Sequence, residues 1–245
     1  MDFTLEQYKQ LLSALKSHHR YRIQHDIDLY PERALAIAET ETAEGLTSTY
    51  YIRAKHILSH SNLIQQLSSL GHDIGYHYEN LATTHGDIEK AYTDFCTHLE
   101  SLRKIVTVKT ACAHGSPTSP WNNKELWRHY DIHNLGIDYE PLLDTDFSKT
   151  LYLTDTGRRW NGYKVSVRDK VPQYQEQWEQ EGLVFHSTDD IIHALNDIHH
   201  PIHQKELLIN THPQRWMPFG MRWIMEAGVQ WWKNQAKRLI VLGRR

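Results

Sequence analysis

Two aspartates separated by one residue are the first pattern in the chain with the chemistry of a site. Asp26 and Asp28 come at the end of a short predicted strand that begins at Tyr21-Arg22-Ile23. At this spacing both side chains lie on one face of the strand. Burying two like charges on one face is unfavourable unless a cation lies beside them. The pair therefore indicates a metal ion, or a catalytic base next to a metal ligand, although acidic residues can also simply end a strand.

Three histidines follow other predicted strands in the same way. His77, His114 and His212 each lie at the carboxyl end of a strand. In α/β proteins these ends meet at one rim, where sites are built. Any one of the histidines alone is more often structural than a ligand, but their shared position favours a site. A carboxylate and two imidazoles with open positions for water suit a catalytic zinc or a similar divalent ion.

The elements that position these residues alternate between strands and helices. Leucines at helical spacing predict a lead-in helix within residues 1–19. Alternating β and α segments predict a parallel sheet with helical crossovers, and about seven such units favour a closed (β/α) barrel. Residues 118–182 are predicted to form long connections, and we expect residues 1–245 to be a single domain. The predicted strands lie at or near residues 21–28, 47–52, 72–78, 108–113, 150–153, 183–185 and 206–210.

Composition excludes several classes of function. The 27 basic and 30 acidic side chains give a net charge of -3, which argues against a nucleic-acid or membrane-surface protein. Cys96 and Cys112 form no C-x-x-C pair and fit a reducing compartment. The first residues of the sequence lack the basic and apolar regions typical of a secretory signal, and no apolar run is long enough to span a bilayer, so a cytoplasmic location is expected. Its 18 His and 8 Trp suit metal chemistry and the faces of sugar rings.

Three segments resemble, in order and spacing, the polysaccharide deacetylase family (the nodulation-deacetylase homology domain). They are His25-Asp26-Ile27-Asp28, Gly71-His72-Asp73-Ile74-Gly75-Tyr76-His77 and Thr211-His212-Pro213. The resemblance implies a distorted (β/α) barrel with about seven parallel strands. It also implies metal-dependent hydrolysis of an N-acetyl or O-acetyl group on a sugar. By the same resemblance Asp26 is the general base, Asp28 and His77 are metal ligands, and His212 is the general acid.

The chain departs from the family pattern at two positions. Leu81 stands where the family has its third metal ligand, four residues after His77. The fourth strand ends in His114-Gly115-Ser116-Pro117 instead of an Arg-Pro-Pro type of segment. Our hypothesis is that His114 supplies the missing ligand to a divalent ion, with zinc preferred to nickel or cobalt. Glu79 and His85 are the alternative ligands, and Glu79 is the stronger because it follows His77 on the same face.

The polar and aromatic segment 153–160 supplies further candidates for substrate binding. Asp155 could orient either His212 or the base, and Arg158 or Arg159 could replace the missing arginine. A structural ion pair between Asp155 and an arginine is equally consistent with the sequence. Trp160 and Trp216 could stack on a sugar ring, but packing in the interior is the favoured interpretation for each tryptophan.

The function predicted from these residues is metal-dependent removal of an acetyl group from a sugar or sugar precursor. The expected substrate is a small molecule or an oligosaccharide, and no nucleic acid or membrane span is expected. One alternative is hydrolysis of a non-peptide C–N bond in a small amide, and another is a catalytically silent sugar-binding barrel. Trp231 and Trp232 point to different faces of a terminal helix, so a homo-oligomer is a further option.

Overall fold

The computed structural model describes residues 1–160, 166 and 168–243. Its six strands form one parallel sheet in the order β4-β3-β2-β1-β6-β5. The predicted α/β class, with parallel strands alternating with helices, is therefore confirmed. The strands are β1 (Tyr21–Ile27), β2 (Thr49–Arg53), β3 (Asp73–Tyr78), β4 (Val108–Ala113), β5 (Thr150–Thr154) and β6 (Glu206–Thr211).

Ten α-helices lie in the described part of the chain. The lead-in helix α1 begins after Thr4, whose hydroxyl accepts a hydrogen bond from the Gln7 backbone N–H. It buries the apolar face that the leucine spacing predicts. The helices are α1 (Leu5–Leu15), α2 (Arg33–Ala43), α3 (Ala54–Ile57), α4 (Ser61–Ser69), α5 (Asn80–Thr83), α6 (Ile88–Arg103), α7 (Pro141–Asp144), α8 (Pro172–Gln180), α9 (Thr188–Asn196) and α10 (Met221–Gly243). No helix in this part of the chain combines the length and apolar character needed to cross a bilayer.

The strand predicted at residues 183–185 is wrong, since these residues are not in the sheet. Helix α8 ends at Gln180, and Gly182, two residues later, has a left-handed φ of 72°. The Leu183 backbone N–H then donates to the Trp178 carbonyl at 2.8 Å and closes the helix end. Because this N–H caps a helix, it is not available for a strand ladder. Leu183 and Phe185 are buried as packing residues.

The connection predicted at residues 118–182 contains more regular structure than expected. It includes 3-10 turns at Asn123–Arg128 and Ile132–Leu135, as well as α7, β5 and α8. Residues 161–165 and 167 of this connection lie outside the described residues. The described part of this connection thus holds short helical elements in addition to the predicted strand β5.

The chain forms two compact units. The first contains residues 1–24, 43–46 and 146–245, and the second contains residues 25–42 and 47–145. In the first unit β5 and β6 pair in parallel. In the second unit the register of β2, β3 and β4 sets Arg53 beside His77 and His77 beside Cys112. This register brings residues from three strands together at one end of the sheet.

Candidate active site

Strand alternation sets the direction of the side chains at the end of β1. The His25 Nε2 atom lies 2.9 Å from Glu41 Oε1, within a buried group where Ser48 and Tyr50 donate hydrogen bonds to the same carboxylate. Successive strand residues point to opposite faces, so Asp26 points away from this group. Asp28 follows the strand directly and, like Asp26, faces His77.

The predicted ligands Asp28, His77 and His114 come together in the second unit. One potential ligand atom from each lies within 4.8 Å of the other two. His77 Nε2 is 3.6 Å from Asp28 Oδ1, and His114 Nε2 is 3.4 Å from the same oxygen. Asp26 Oδ2 lies 3.8 Å from His77 Nε2. Two imidazoles and a carboxylate facing one another in this way match the ligand types of a zinc site.

Hydrogen bonding fixes which nitrogen of His77 can bind a metal. Its Nδ1 atom lies 3.0 Å from the Cys112 carbonyl oxygen, which can only accept a hydrogen bond. Nδ1 therefore carries the proton, and Nε2 presents its lone pair towards the carboxylates. Burial lowers the pKa of His77 to about 3, so the imidazole is neutral near pH 7. A neutral imidazole is the form that binds metals.

Glu79 and Arg53 hold the second imidazole. His114 Nδ1 is 3.0 Å from Glu79 Oε2, and Arg53 binds both oxygens of Glu79 at 2.5–2.9 Å. Burial acts to raise the pKa of Glu79, but hydrogen bonds from His114 and Arg53 lower it to about 2. With an ionised acceptor at this distance, Nδ1 of His114 donates to Glu79 in preference to accepting from the Ser116 N–H at 3.3 Å. The Nε2 atom then faces Asp28.

Glu79 thus contacts a ligand candidate instead of completing the ligand group. Among the described residues, the groups with metal-ligand geometry do not include Glu79. They also leave out His85, which is exposed on the loop after α5. Of the three predicted candidates for the third ligand, His114 is the one whose ligand atom lies together with those of Asp28 and His77.

The charges of these groups favour a divalent cation. Asp26, Asp28 and Glu79 have a formal charge of minus three, and Arg53 supplies one positive charge with NH1 3.8 Å from Asp28 Oδ1. Partly buried carboxylates raise the energy of the fold when their charge is not balanced. A divalent ion held by Asp28, His77 and His114 would add positive charge where these carboxylates lie close together. The residues present therefore fit the metal that the resemblance implies.

Cys112 was not predicted as a site residue but lies beside the same imidazole. Asp26, His77 and Cys112 form a second group with ligand atoms within 4.8 Å of one another, and all three residues are buried. Cys112 has no C-x-x-C partner in the sequence, and the two residues that it lies beside, Asp26 and His77, come from other strands. Its position in β4, two residues before His114, was the available signal. Arg53 was also missed, although it ends β2 at the same rim.

In the first unit, Asp155 forms the centre of another buried group. This carboxylate follows β5 and accepts hydrogen bonds from His212 Nδ1 at 2.7 Å, from the His212 backbone N–H at 3.0 Å and from Trp216 Nε1 at 2.8 Å. Arg215 NH1 also donates to it. Burial acts to raise the pKa of Asp155, but Arg215 and His212 lower it to about 2. Asp155 therefore holds His212, one of the two roles that the sequence left open.

The arginines of segment 153–160 have structural contacts in the first unit. Arg158 has a φ of 53° and is largely buried, and it pairs with Glu226. Its guanidinium also donates to the Arg215 carbonyl oxygen at 3.3 Å. Arg159 is half-buried beside it. The arginine that lies next to the Asp155 carboxylate is Arg215, which the sequence analysis did not single out.

The two tryptophans predicted as substrate contacts are interior residues. Trp160 is 5% exposed and donates from Nε1 to Thr188 Oγ1 at 2.8 Å. Trp216 is 2% exposed and packs with its ring 5.0 Å from that of Tyr8. Little of either ring is exposed to solvent. The stacking role is thus not supported, and packing, the interpretation favoured from the sequence, agrees with this burial.

Several solved structures are similar to the chain over most of its length. A family 4 carbohydrate esterase from Streptomyces lividans, in complex with acetate, is 10% identical with a TM-score of 0.46, covering 90% of this chain and 91% of its own. A Streptococcus mutans CE4 esterase is 12% identical with a TM-score of 0.48, covering 96% and 88%. A family 4 carbohydrate esterase from Bacillus anthracis is 13% identical with a TM-score of 0.43, covering 94% and 86%. No protein-family model and no curated protein matches the chain.

Proposed function

We propose that the chain is a metal-dependent hydrolase that removes an acetyl group from an N- or O-acetylated sugar or sugar precursor. The observation that carries this proposal is the group of Asp28, His77 and His114, whose ligand atoms face one another. The neutral state of His77 and the negative charge around it support a bound cation. The motif resemblance supports acetyl-sugar hydrolysis as the reaction.

In this proposal Asp28, His77 and His114 hold a divalent ion, with zinc preferred. When bound, such an ion polarises an acetyl carbonyl and lowers the pKa of a water molecule. The chain's own residues do the positioning. The Cys112 carbonyl directs His77 Nε2, and Glu79 directs His114 Nε2, towards Asp28 Oδ1.

Asp26 and His212 are proposed to move the protons. Asp26 accepts a proton from the attacking water at its carboxylate, and its Oδ2 atom next to His77 Nε2 supports this role. His212 gives a proton to the departing amine or alkoxide. The ionised Asp155 on His212 Nδ1 supports this role, because it stabilises the imidazolium and leaves Nε2 to carry the transferable proton.

The test is acetate release from a panel of N-acetyl and O-acetyl sugars by metal-free protein and by protein supplied with zinc, cobalt or nickel. We expect release only with metal. Asp26→Asn should keep the metal and lower the rate by about 10²–10⁴-fold, as expected for loss of a general base. His193→Ala, at an exposed position in α9, is the matched control. Unchanged acetate release by the metal-free protein would disprove the proposal.

The same panel separates the other two functions. Cleavage of non-sugar amides without cleavage of acetyl sugars would indicate an amide hydrolase. Sugar binding without acetate release under any metal condition would indicate a silent binding domain. The sugar precursor as substrate and the cytoplasmic location remain predictions from the sequence.

A further inference from the structure

Helix α10 packs with its polar side inward. Gln230 and Asn234 are buried, and Asn234 Nδ2 donates to the Gly157 carbonyl oxygen at 2.8 Å. One turn earlier Glu226 pairs with Arg158. A surface helix of a globular protein normally turns its apolar side to the core. Helix α10 therefore has the reverse orientation.

The opposite side of α10 is an exposed apolar face. At about 3.6 residues per turn its positions fall within one half of the helix circumference. Trp231 and Trp232, which were predicted to point to different faces, are both exposed on this half. They are between half and three quarters exposed, and the face comprises Met221, Ile224, Met225, Val229, Trp231 and Trp232. Phe219, just before the helix, is also exposed. A contiguous apolar patch of this kind marks an interaction surface.

The charge of the C-terminal segment indicates what covers this face. Residues 221–245 contain six Lys or Arg residues and a single acidic residue, Glu226. The sequence of this segment therefore carries a net positive charge, and its one carboxylate, Glu226, is paired with Arg158. The net charge of -3 for the whole chain conceals this local excess. The expectation that the chain is not a membrane-surface protein rested on that net value alone.

We propose that the apolar face of α10 lies on an anionic lipid surface, with the helix parallel to the membrane plane. Tryptophan rings favour the headgroup region, and flanking basic residues favour anionic lipids. A second copy of the chain fits less well, because a two-fold pairing of this helix would bring two basic segments together without acidic partners. This proposal is independent of the hydrolase function.

Cosedimentation with vesicles tests the proposal. The wild-type protein should bind vesicles of phosphatidylcholine and phosphatidylglycerol, should bind vesicles of phosphatidylcholine alone much less, and should dissociate as salt is added. The double variant Trp231→Ser/Trp232→Ser should weaken binding at least about tenfold. Lys233→Gln should weaken it about fivefold. Leu58→Ser, at a position that is 82% exposed in the second unit, should bind like the wild type.

Two results would overturn the proposal. One is the absence of wild-type binding to the anionic vesicles, and the other is equal binding by the tryptophan variant. A wild-type dimer in solution that becomes monomeric in this variant, without vesicle binding, would assign the face to a second copy. All substituted side chains are exposed, so circular dichroism should show an unchanged fold. Acetate release from a soluble substrate should also be unchanged, which separates this test from that of the hydrolase.

Discussion

Asp155 and Asp28 both follow directly after a strand, yet the groups around them balance their charge differently. Asp155 has Arg215 against its carboxylate and accepts hydrogen bonds from His212 and Trp216 as well. Asp28 faces the Nε2 atoms of two imidazoles, and the nearby Arg53 is shared with Glu79. The first arrangement pairs the carboxylate with an arginine of the chain, whereas the second is the group that we propose holds an added cation.

Glu140, in the second unit, is a buried carboxylate that has neither an arginine in contact, within the described structure, nor a place in the proposed metal site. It accepts hydrogen bonds from the Tyr78 hydroxyl and from the backbone N–H groups of Ala113, Leu142 and Leu143, but no arginine contacts it in the described structure. Burial raises its pKa to about 7, while the pKa of Asp155 is held at about 2. The difference between these two pKa values follows from Arg215 and His212, which lie beside Asp155 and have no counterpart in contact with Glu140 in the described structure.

The largest expected effect is the loss of metal from the proposed site of Asp28, His77 and His114. His77→Ala and His114→Ala should each remove a proposed ligand. Zinc affinity should then fall by more than the roughly 100-fold loss typical when a residue that only hydrogen-bonds to a ligand is replaced. Metal content after dialysis, and the absorption spectrum of the cobalt-loaded protein, measure this. Substitution of Asp155 by Asn should leave the metal in place. Full metal occupancy in His114→Ala would remove His114 from the ligand set.

Asp155→Asn should chiefly affect stability. The variant keeps the shape of the side chain but leaves Arg215 buried without its anion, so we expect the free energy of unfolding to fall by about 3–5 kcal/mol. Urea denaturation measures this change. Asp138→Asn, at an exposed position, is the control and should change it little. A loss below about 1 kcal/mol would mean that Asp155 is not the charge partner on which Arg215 depends.

Glu140→Gln should change how stability depends on pH. The pKa of Glu140 is about 7 in the folded state and 4.5 ordinarily, so the wild-type protein loses stability from this group as pH rises through that range. The variant has no such loss. The difference in unfolding free energy between the two proteins should shift in favour of the variant by about 3 kcal/mol between about pH 4.5 and 8. Urea denaturation of both proteins over this pH range measures the difference in unfolding free energy. A difference that stayed constant with pH would contradict the expectation.

The smallest expected effect belongs to Glu79→Gln. The amide keeps the size of the side chain but loses the charge that orients His114, so metal affinity should fall by about 10–100-fold. Isothermal titration with zinc or cobalt measures the affinity. Glu125→Gln changes a partly exposed glutamate in the same unit and should have no effect. Complete loss of metal in Glu79→Gln would instead point to Glu79 as a direct ligand.

The rule that strand ends meet at one rim predicted most of the candidate site. It found Asp28, His77 and His114 because each of them lies at or directly after the end of a strand. The same rule would have found Arg53, which ends β2, but the missing arginine was sought in segment 153–160. Arg215 lies in a turn three residues after His212, where spacing does not determine the direction of a side chain.

Features that depend on packing between distant segments were not predictable from local patterns. Packing was the favoured prediction for Trp160 and Trp216, but local spacing did not identify their partners Phe3 and Tyr8 near the start of the chain. The strand predicted at residues 183–185 is wrong because the Leu183 backbone N–H donates to the Trp178 carbonyl oxygen at the end of α8 and not to a neighbouring strand. Apolar runs this short have the same composition in both settings.

The bond between His77 Nδ1 and the Cys112 carbonyl has a consequence for how the site tolerates genetic change. Every amino acid carries a backbone carbonyl, so substitutions at position 112 that preserve the strand leave this bond in place. The bond that orients His114 depends on the carboxylate of Glu79, and a single codon change can remove it. In a library of random variants, we therefore expect function to survive many replacements at position 112 and few at position 79.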